Sequence, residues 1–250
     1  MADETYPRRG SVALVTGAGG GIGAAVAEAL AGVGCRVVCA GRRIDRLEAV
    51  AGRLGRSTHA LQLDVADQKS VDGLFDRLPK ELHEIDILIN NAGHDIGGRR
   101  RFDQGEMADW QSIIETNLIG LIRVTHKVIS GMVARNRGHI VNLGSVAGMR
   151  GYADGTLYAS SKFAVHGFSE SLRLDFRNTG IRVTEILPGM VRTDFAFHRW
   201  RGDEERAENF YQEFGVCLAP ADVARTVVFA VQQPPHVVIA QLMVVPISQN

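Results

Sequence analysis

Short runs of β-branched and aliphatic residues alternate with helical patterns along this chain, and that alternation limits its possible folds more than any other feature. The strand-like runs fall at residues 12–16, 36–40, 59–63, 85–89, 139–144 and 182–187, with a late one near 237–244. Helical patterns at 23–33, 44–54, 68–79, 107–134, 157–178 and 220–232 lie between them. Strands this rich in Val and Ile are buried on both faces, and helical crossovers between them make neighbouring strands parallel. The pattern predicts an α/β fold of three layers, a seven-stranded, mostly parallel sheet with helices on both faces. Three stretches, 94–106, 146–156 and 191–215, break the rhythm. Ligands of an open parallel sheet bind beyond the carboxyl ends of its strands, so these stretches are the expected walls of a pocket.

At 250 residues the chain has the length of one large α/β domain. Residues 1–250 read as that single domain, with 1–10 as an N-terminal tail. Lys plus Arg and Asp plus Glu number 28 each. This balance argues against a polyanion-binding surface, so nucleic acid is not an expected partner. Cys35, Cys39 and Cys217 form no disulfide framework or metal pattern. The first two read as small buried hydrophobes in a reducing, cytoplasmic setting. The eight histidines lack the spacing of a zinc site, so no metal is expected. Arg8-Arg9 ahead of the apolar stretch 11–34 looks a little like an export signal. Glu28 interrupts that stretch, and the same residues serve as strand, glycine loop and helix. No apolar run is long enough to span a bilayer, so no membrane partner is expected.

Thr16-Gly17-Ala18-Gly19-Gly20-Gly21-Ile22-Gly23 follows the first strand and opens the first helix. Glycines at 17, 19, 21 and 23 allow a tight turn there. They also let a pyrophosphate approach the backbone amides of the helix N-terminus near Ile22. This is the dinucleotide-binding arrangement of a Rossmann-type sheet. NAD-binding proteins usually carry an acidic residue after the second strand, on the adenosine ribose. Here that place reads Ala40-Gly41-Arg42-Arg43, with no carboxylate. A guanidinium matches a phosphate in shape and charge, so Arg42 and Arg43 suit the 2′-phosphate of NADP rather than NAD. Capping the next helix is the plainer role open to either arginine.

Tyr158 and Lys162 stand four residues apart in a helical pattern, with Ser145 thirteen positions upstream of the tyrosine at the end of an apolar run. Residues four apart share a helix face, with a rise of roughly 6 Å between them. A free phenol has a pKa of about 10, and a neighbouring cation favours its ionised form. A phenol poised in this way can give a proton to a substrate oxygen or take one, while a serine hydroxyl polarises the same oxygen. The spacing alone occurs in many helices and gains its meaning from the rest of the chain.

With these motifs in order, the chain resembles the short-chain dehydrogenase/reductase family from Val12 onward. The resemblance rests on the glycine loop, Asp64-Val65, Asn90-Asn91-Ala92-Gly93, Asn117, Ser145, the Tyr158–Lys162 pair and Pro188-Gly189. It implies that Tyr158 is the general acid in carbonyl reduction and the base in alcohol oxidation, and that Ser145 holds the substrate oxygen. It implies that Lys162 bonds the nicotinamide ribose and lowers the tyrosine pKa, and that Asn117 orders a water in a proton relay. Asp64 and Val65 would contact adenine. The turn Asn91-Ala92-Gly93 would line the coenzyme, as would Pro188 and Gly189. Val191 and Thr193 would meet the carboxamide, although Thr193 could equally cap the next helix, with Asp194 in its first turn. A homotetramer, or a homodimer, is implied too, with helices 107–134 and 157–178 packed between subunits.

The late segment from His198 to Tyr211, Leu218-Ala219-Pro220-Ala221-Asp222 and the C-terminal end resemble one subgroup. It comprises NADP-dependent 3-hydroxy acid (serine/allo-threonine type) dehydrogenases and related carbonyl reductases. Arg99, Arg100, Arg101 and Arg150 lie in the expected walls, where one could clamp an anionic substrate or simply face solvent. His94 could face the pocket. Phe195, Phe197, Trp200 and Phe210 could form an apolar lid or only pack the late insertion. The expected activity is hydride exchange between a nicotinamide and an aldehyde, ketone or 3-hydroxy acid. A 3-oxoacyl-thioester or ketone reductase of specialised metabolism is the alternative. A non-catalytic NADP-binding protein is disfavoured, because the tyrosine and lysine are both present.

Overall fold

A computed structural model of the chain describes residues 6–249. Seven strands form one sheet: β1 (Val12–Thr16), β2 (Arg36–Gly41), β3 (Thr58–Gln62), β4 (Ile85–Asn90), β5 (Gly138–Leu143), β6 (Ile181–Pro188) and β7 (Gln241–Val244). Their spatial order is β3-β2-β1-β4-β5-β6-β7. Every pairing is parallel, so the sheet is wholly rather than mostly parallel. The order reverses between β1 and β4, the switch point where an open sheet leaves a crevice at its carboxyl edge.

The helices are α1 (Gly21–Gly32), α2 (Ile44–Leu54), α3 (Gln68–Asp72), α4 (Met107–Ile114), α5 (Leu121–Arg135), α6 (Thr156–Asp175), α7 (Phe195–Arg199), α8 (Glu204–Phe214) and α9 (Pro220–Val231). Alternate strand residues feed two separate cores. Ala13, Val15, Val37 and Ile89 pack with Val26 and Leu30 of α1, Leu47 of α2 and Val227 of α9. Leu14, Val38, Leu88 and Ile140 pack on the other face with Val71 of α3 and Val124, Val128 and Met132 of α5. Parallel strands need this double burial, because helical crossovers cover both faces.

Four expectations are corrected. The helix expected at 68–79 is short: Asp67 caps it by accepting from Lys69 N at 3.0 Å, and it closes at Gly73, with only a 3₁₀ turn at Phe75–Arg77 beyond. The pattern at 107–134 is interrupted by a π-turn, Glu115–Gly120. The last strand begins at Gln241 rather than near 237. Residues 6–10, expected as tail, are tied down: Gly10 N donates to Gly34 O, and Ser11 N to Arg8 O. Residues 1–5 of that tail lie outside the described residues. Among the described residues, no helix is long and apolar enough to cross a membrane and no cluster could hold a metal.

Candidate active site

A cleft of about 1260 Å³ opens along the carboxyl edge of the sheet. Of the coenzyme-binding residues expected from the motifs, all but one line it: Gly17, Gly19, Gly21, Ile22, Arg42, Arg43, Asp64, Val65, Asn91, Ala92, Gly93, Pro188, Gly189, Val191 and Thr193. Gly23 does not; its part is structural, because a Cβ there would overlap the Gly17 carbonyl oxygen. Gly17 adopts φ +67° with its hydrogen facing Asn91, where a Cβ would stand 2.8 Å from Nδ2. The loop is tied to the β4 end. Thr16 Oγ1 accepts from the backbone amides of Asn91 and Ala92, each at 3.0 Å, and Asn91 Nδ2 donates to Thr16 O at 2.9 Å.

The N-terminus of α1 carries no side-chain cap and no acidic residue in its first turn. Gly20, Gly21 and Ile22 at this terminus line the cleft, and an uncapped helix N-terminus there suits a pyrophosphate. Arg42 and Arg43 follow β2 and line the cleft. Arg43 is held below its ordinary pKa by burial and then by the nearby Arg46 and Arg42 charges. A cluster of like charges of this kind is relieved by a bound anion. The residues present thus fit a phosphorylated dinucleotide. Sequence reasoning missed the ion pair of Arg46 with Asp194, 3.2 Å, which joins α2 to the late insertion.

At the other end of the cleft Ser145 stands two residues beyond β5, while Tyr158 and Lys162 project from α6. Ser145 Oγ accepts from Ala147 N at 3.1 Å, and Ser145 and Tyr158 line the same part of the cleft. Lys162 is buried, its Nζ donating to Leu143 O at 2.8 Å and lying 5.8 Å from the centre of the Tyr158 ring. Burial pushes the Lys162 ammonium down to about 8, opposed by the Glu185 carboxylate. The phenol pKa is not lowered, as the resemblance implied. Burial raises it, Tyr152 and Asp95 raise it further, and Arg199 and Ser145 only partly oppose this. Desolvation thus outweighs cationic help, and the phenol stays protonated at neutral pH.

Asn117 sits in the π-turn. Its Nδ2 donates to His94 O at 3.0 Å and to Ser161 Oγ at 3.1 Å, and its Oδ1 accepts from His94 N at 2.8 Å. It therefore joins α6 to the wall after β4. His94 does line the cleft, and burial lowers its pKa, keeping it neutral.

Of the wall arginines, Arg99 and Arg150 line the cleft. Arg101 pairs with Asp103 outside it, and Arg100 donates its backbone N–H to Asp154 O. Residues 191–215, expected to be irregular, hold α7 and α8. Phe195 packs edge-on against Tyr158 with ring centres 5.6 Å apart, while Phe210 packs on Trp200 and Phe214. Phe195, Phe197 and Phe210 line the cleft, while Trp200 packs on Phe210 outside it. Thr193 Oγ1 accepts from Phe195 N at 3.1 Å, and a Cβ on Gly21 would stand 3.3 Å from the threonine side chain. Another feature without a sequence signal is the buried pair of Arg199 with Asp95, 2.8 Å, which fastens α7 to the 94–106 wall beneath Phe195 and Phe210.

A glycine cradle under a parallel sheet, with a phenol, hydroxyl and ammonium converging beyond it, defines a dinucleotide-dependent oxidoreductase. The model of the short chain dehydrogenase family matches residues 11–204, and the chain belongs to that family. It is 40% identical over 240 residues to an NADP-dependent 3-hydroxy acid dehydrogenase of Escherichia coli K12, covering 96% of each chain. It is 36% identical over 237 residues to a serine 3-dehydrogenase of Agrobacterium fabrum, covering 95% of this chain and 94% of the other. Among solved structures, the closed form of a serine dehydrogenase complexed with NADP+ superposes with a TM-score of 0.92 at 40% identity, over 96% of each chain.

Proposed function

We propose that this protein is an NADP(H)-dependent oxidoreductase exchanging a hydride between the nicotinamide and a carbonyl or secondary alcohol, with Tyr158 as acid/base. The observation that carries this reading is the convergence of Tyr158, Ser145 and Lys162 at one end of a cleft whose other end holds the glycine cradle and Arg42–Arg43. The bound nicotinamide supplies or accepts the hydride. The chain's own residues do the rest. Ser145 and Tyr158 donate to the substrate oxygen, stabilising the alkoxide that develops there. The protonated phenol gives up its proton in reduction and receives one in oxidation. Lys162 holds the ribose and supports the transient phenolate, while Asn117, fixed by His94 and Ser161, orders the proton path to solvent. Arg42 and Arg43 hold the 2′-phosphate.

Names of the relatives favour a 3-hydroxy acid among substrates, with aldehydes and ketones of similar size also fitting the cleft. The alternative of a 3-oxoacyl-thioester or ketone reductase draws support from a similar structure, an actinorhodin polyketide ketoreductase variant with NADPH, at TM-score 0.84 and 31% identity. The working form is a homotetramer, which light scattering would test. Exposed Phe163 and Leu174 on α6, Phe229 on α9 and Met243 on β7 supply apolar surface for it. The cytoplasm, where Cys35 and Cys39 stay reduced, is the expected compartment; burial pushes both thiols up to about 12. The test is NADPH oxidation across 3-oxo acids, aldehydes, ketones and diketones, with Tyr158→Phe beside the wild type. Loss of general acid catalysis should cost about 10²–10⁴-fold in kcat. Undiminished turnover in Tyr158→Phe would overturn the mechanism.

A further inference from the structure

Behind the Tyr158–Lys162 pair lies a carboxylate that the mechanism above does not use. Glu185 of β6 is 0% exposed. Its Oε2 contacts His166 Nδ1 at 2.8 Å and accepts from Gln241 Nε2 at 3.0 Å. Its Oε1 is buried without a hydrogen-bond partner. A Cβ on Gly144 would overlap that same Oε1, so the free oxygen lies against the residue joining Leu143 to Ser145. The Leu143 carbonyl is the group that accepts from Lys162 Nζ. Lys162 and His166 are four apart on α6 and share a face, which places Glu185 one helical turn from the lysine. An acidic oxygen kept from water without a donor is costly, and a buried cation close by is what compensates it.

We propose that Glu185 is a positioning residue of the active site: its carboxylate, held by His166 and Gln241, keeps the buried Lys162 charged and directed at the Leu143 carbonyl. The proposal rests on the role given to Lys162 above and deepens it. Glu185 is the charge that opposes burial at Lys162. The other groups facing this region are few. From α6 come Tyr158, His166 and Arg173, whose guanidinium donates to Val183 O and Ala240 O. From β7 comes Gln241, which is neutral. His139 of β5 bonds Thr184, the neighbour whose side chain points to the other sheet face, and burial holds it neutral. Removing the Glu185 charge therefore leaves Lys162 with burial alone, and the ammonium loses its proton at lower pH.

The test uses the small lysine complement of the chain: Lys69, Lys80, Lys127 and Lys162. Lysine labelled with ¹³C at Cε gives four signals, and Lys162→Arg identifies the buried one. In Glu185→Gln the Lys162 titration midpoint should fall by about one pH unit, and the pH above which NADPH affinity drops should fall with it. Glu185→Asp, which keeps the charge but withdraws it by a methylene, should give a smaller shift in the same direction and serves if the glutamine variant does not fold. A folded Glu185→Gln protein whose Lys162 titration is unmoved overturns the proposal, even if kcat falls equally at every pH. The titration needs neither coenzyme nor substrate, so a failed Tyr158→Phe test would leave it standing.

Discussion

The double substitution Arg42→Ala/Arg43→Ala should strip the protein of its preference for NADPH. Both side chains are exposed and line the cleft, and Arg46 adds a third guanidinium nearby. A hydrogen bond between charged partners contributes about 1.5–3 kcal/mol when sheltered. Exposure and salt reduce each of these to about 1–1.5 kcal/mol. Losing two such bonds removes about 2–3 kcal/mol, or roughly 30–150-fold in affinity for NADPH. NADH carries no 2′-phosphate, so its affinity should change by less than about threefold. The assay measures KM and, by nucleotide fluorescence, Kd for each coenzyme, at low and high salt. Raising the salt should erode NADPH binding in the wild type and leave the variant nearly unaffected. Equal losses for NADPH and NADH would refute the reasoning, because the arginines would then be acting on the loop rather than on the phosphate.

Gly23→Ala places a methyl against the Gly17 carbonyl and Asn91 Nδ2, so calorimetry should show NADPH binding weakened more than tenfold. Arg199→Ala leaves Asp95 buried without its partner. Thermal unfolding should register a loss of about 3 kcal/mol, roughly 6–12 °C for a chain this size, and Asp95→Asn added to it should recover part of that. Burial places Lys162 near 8, so its ammonium is present below that pH and lost above it. NADPH affinity measured from pH 6 to 10 should therefore fall as pH rises through about 8, and an affinity flat across that range would exclude the ribose contact.

The sheet was legible because short, continuously apolar runs rich in Val and Ile are a local property of Val12–Thr16 or Ile85–Asn90, which are buried on both faces. The coenzyme end was legible for a related reason: each glycine is dictated by backbone geometry within a few residues. Breaks within helices were not. Asn117 stands in a π-turn that shifts the helix register by one residue without disturbing the apolar pattern of 107–134. Helix α8 did carry a signal, Asp203 accepting from Arg206 N with Glu204 and Glu205 in the first turn, which the aromatic content of the segment obscured. Pairings such as Arg199 with Asp95 or Glu185 with His166 join residues from distant segments, and no sequence spacing announces them. The phenol's direction of shift was hidden too, since it depends on how much protein covers Tyr158 and not on which residue lies four places away.

A row of buried amides and hydroxyls crosses four elements, α5, β4, β5 and α6, just below the site. Asn90 Nδ2 donates to Asn142 Oδ1 at 2.9 Å and to Thr125 Oγ1 at 2.8 Å. Asn142 Nδ2 in turn donates to Ser169 Oγ at 2.9 Å, on the same helix as Tyr158 and Lys162. Asn90 and Asn142 are paired in register across β4 and β5. Sliding β5 by one residue would turn Asn142 to the opposite face and break the row. The height of α6 beside β5 is therefore set by this row, and so is the spacing between Ser145 and the phenol. The segment between them is left to vary. A longer or shorter turn between Ser145 and Tyr158 would thus reshape the cleft wall while the two hydroxyls keep their distance.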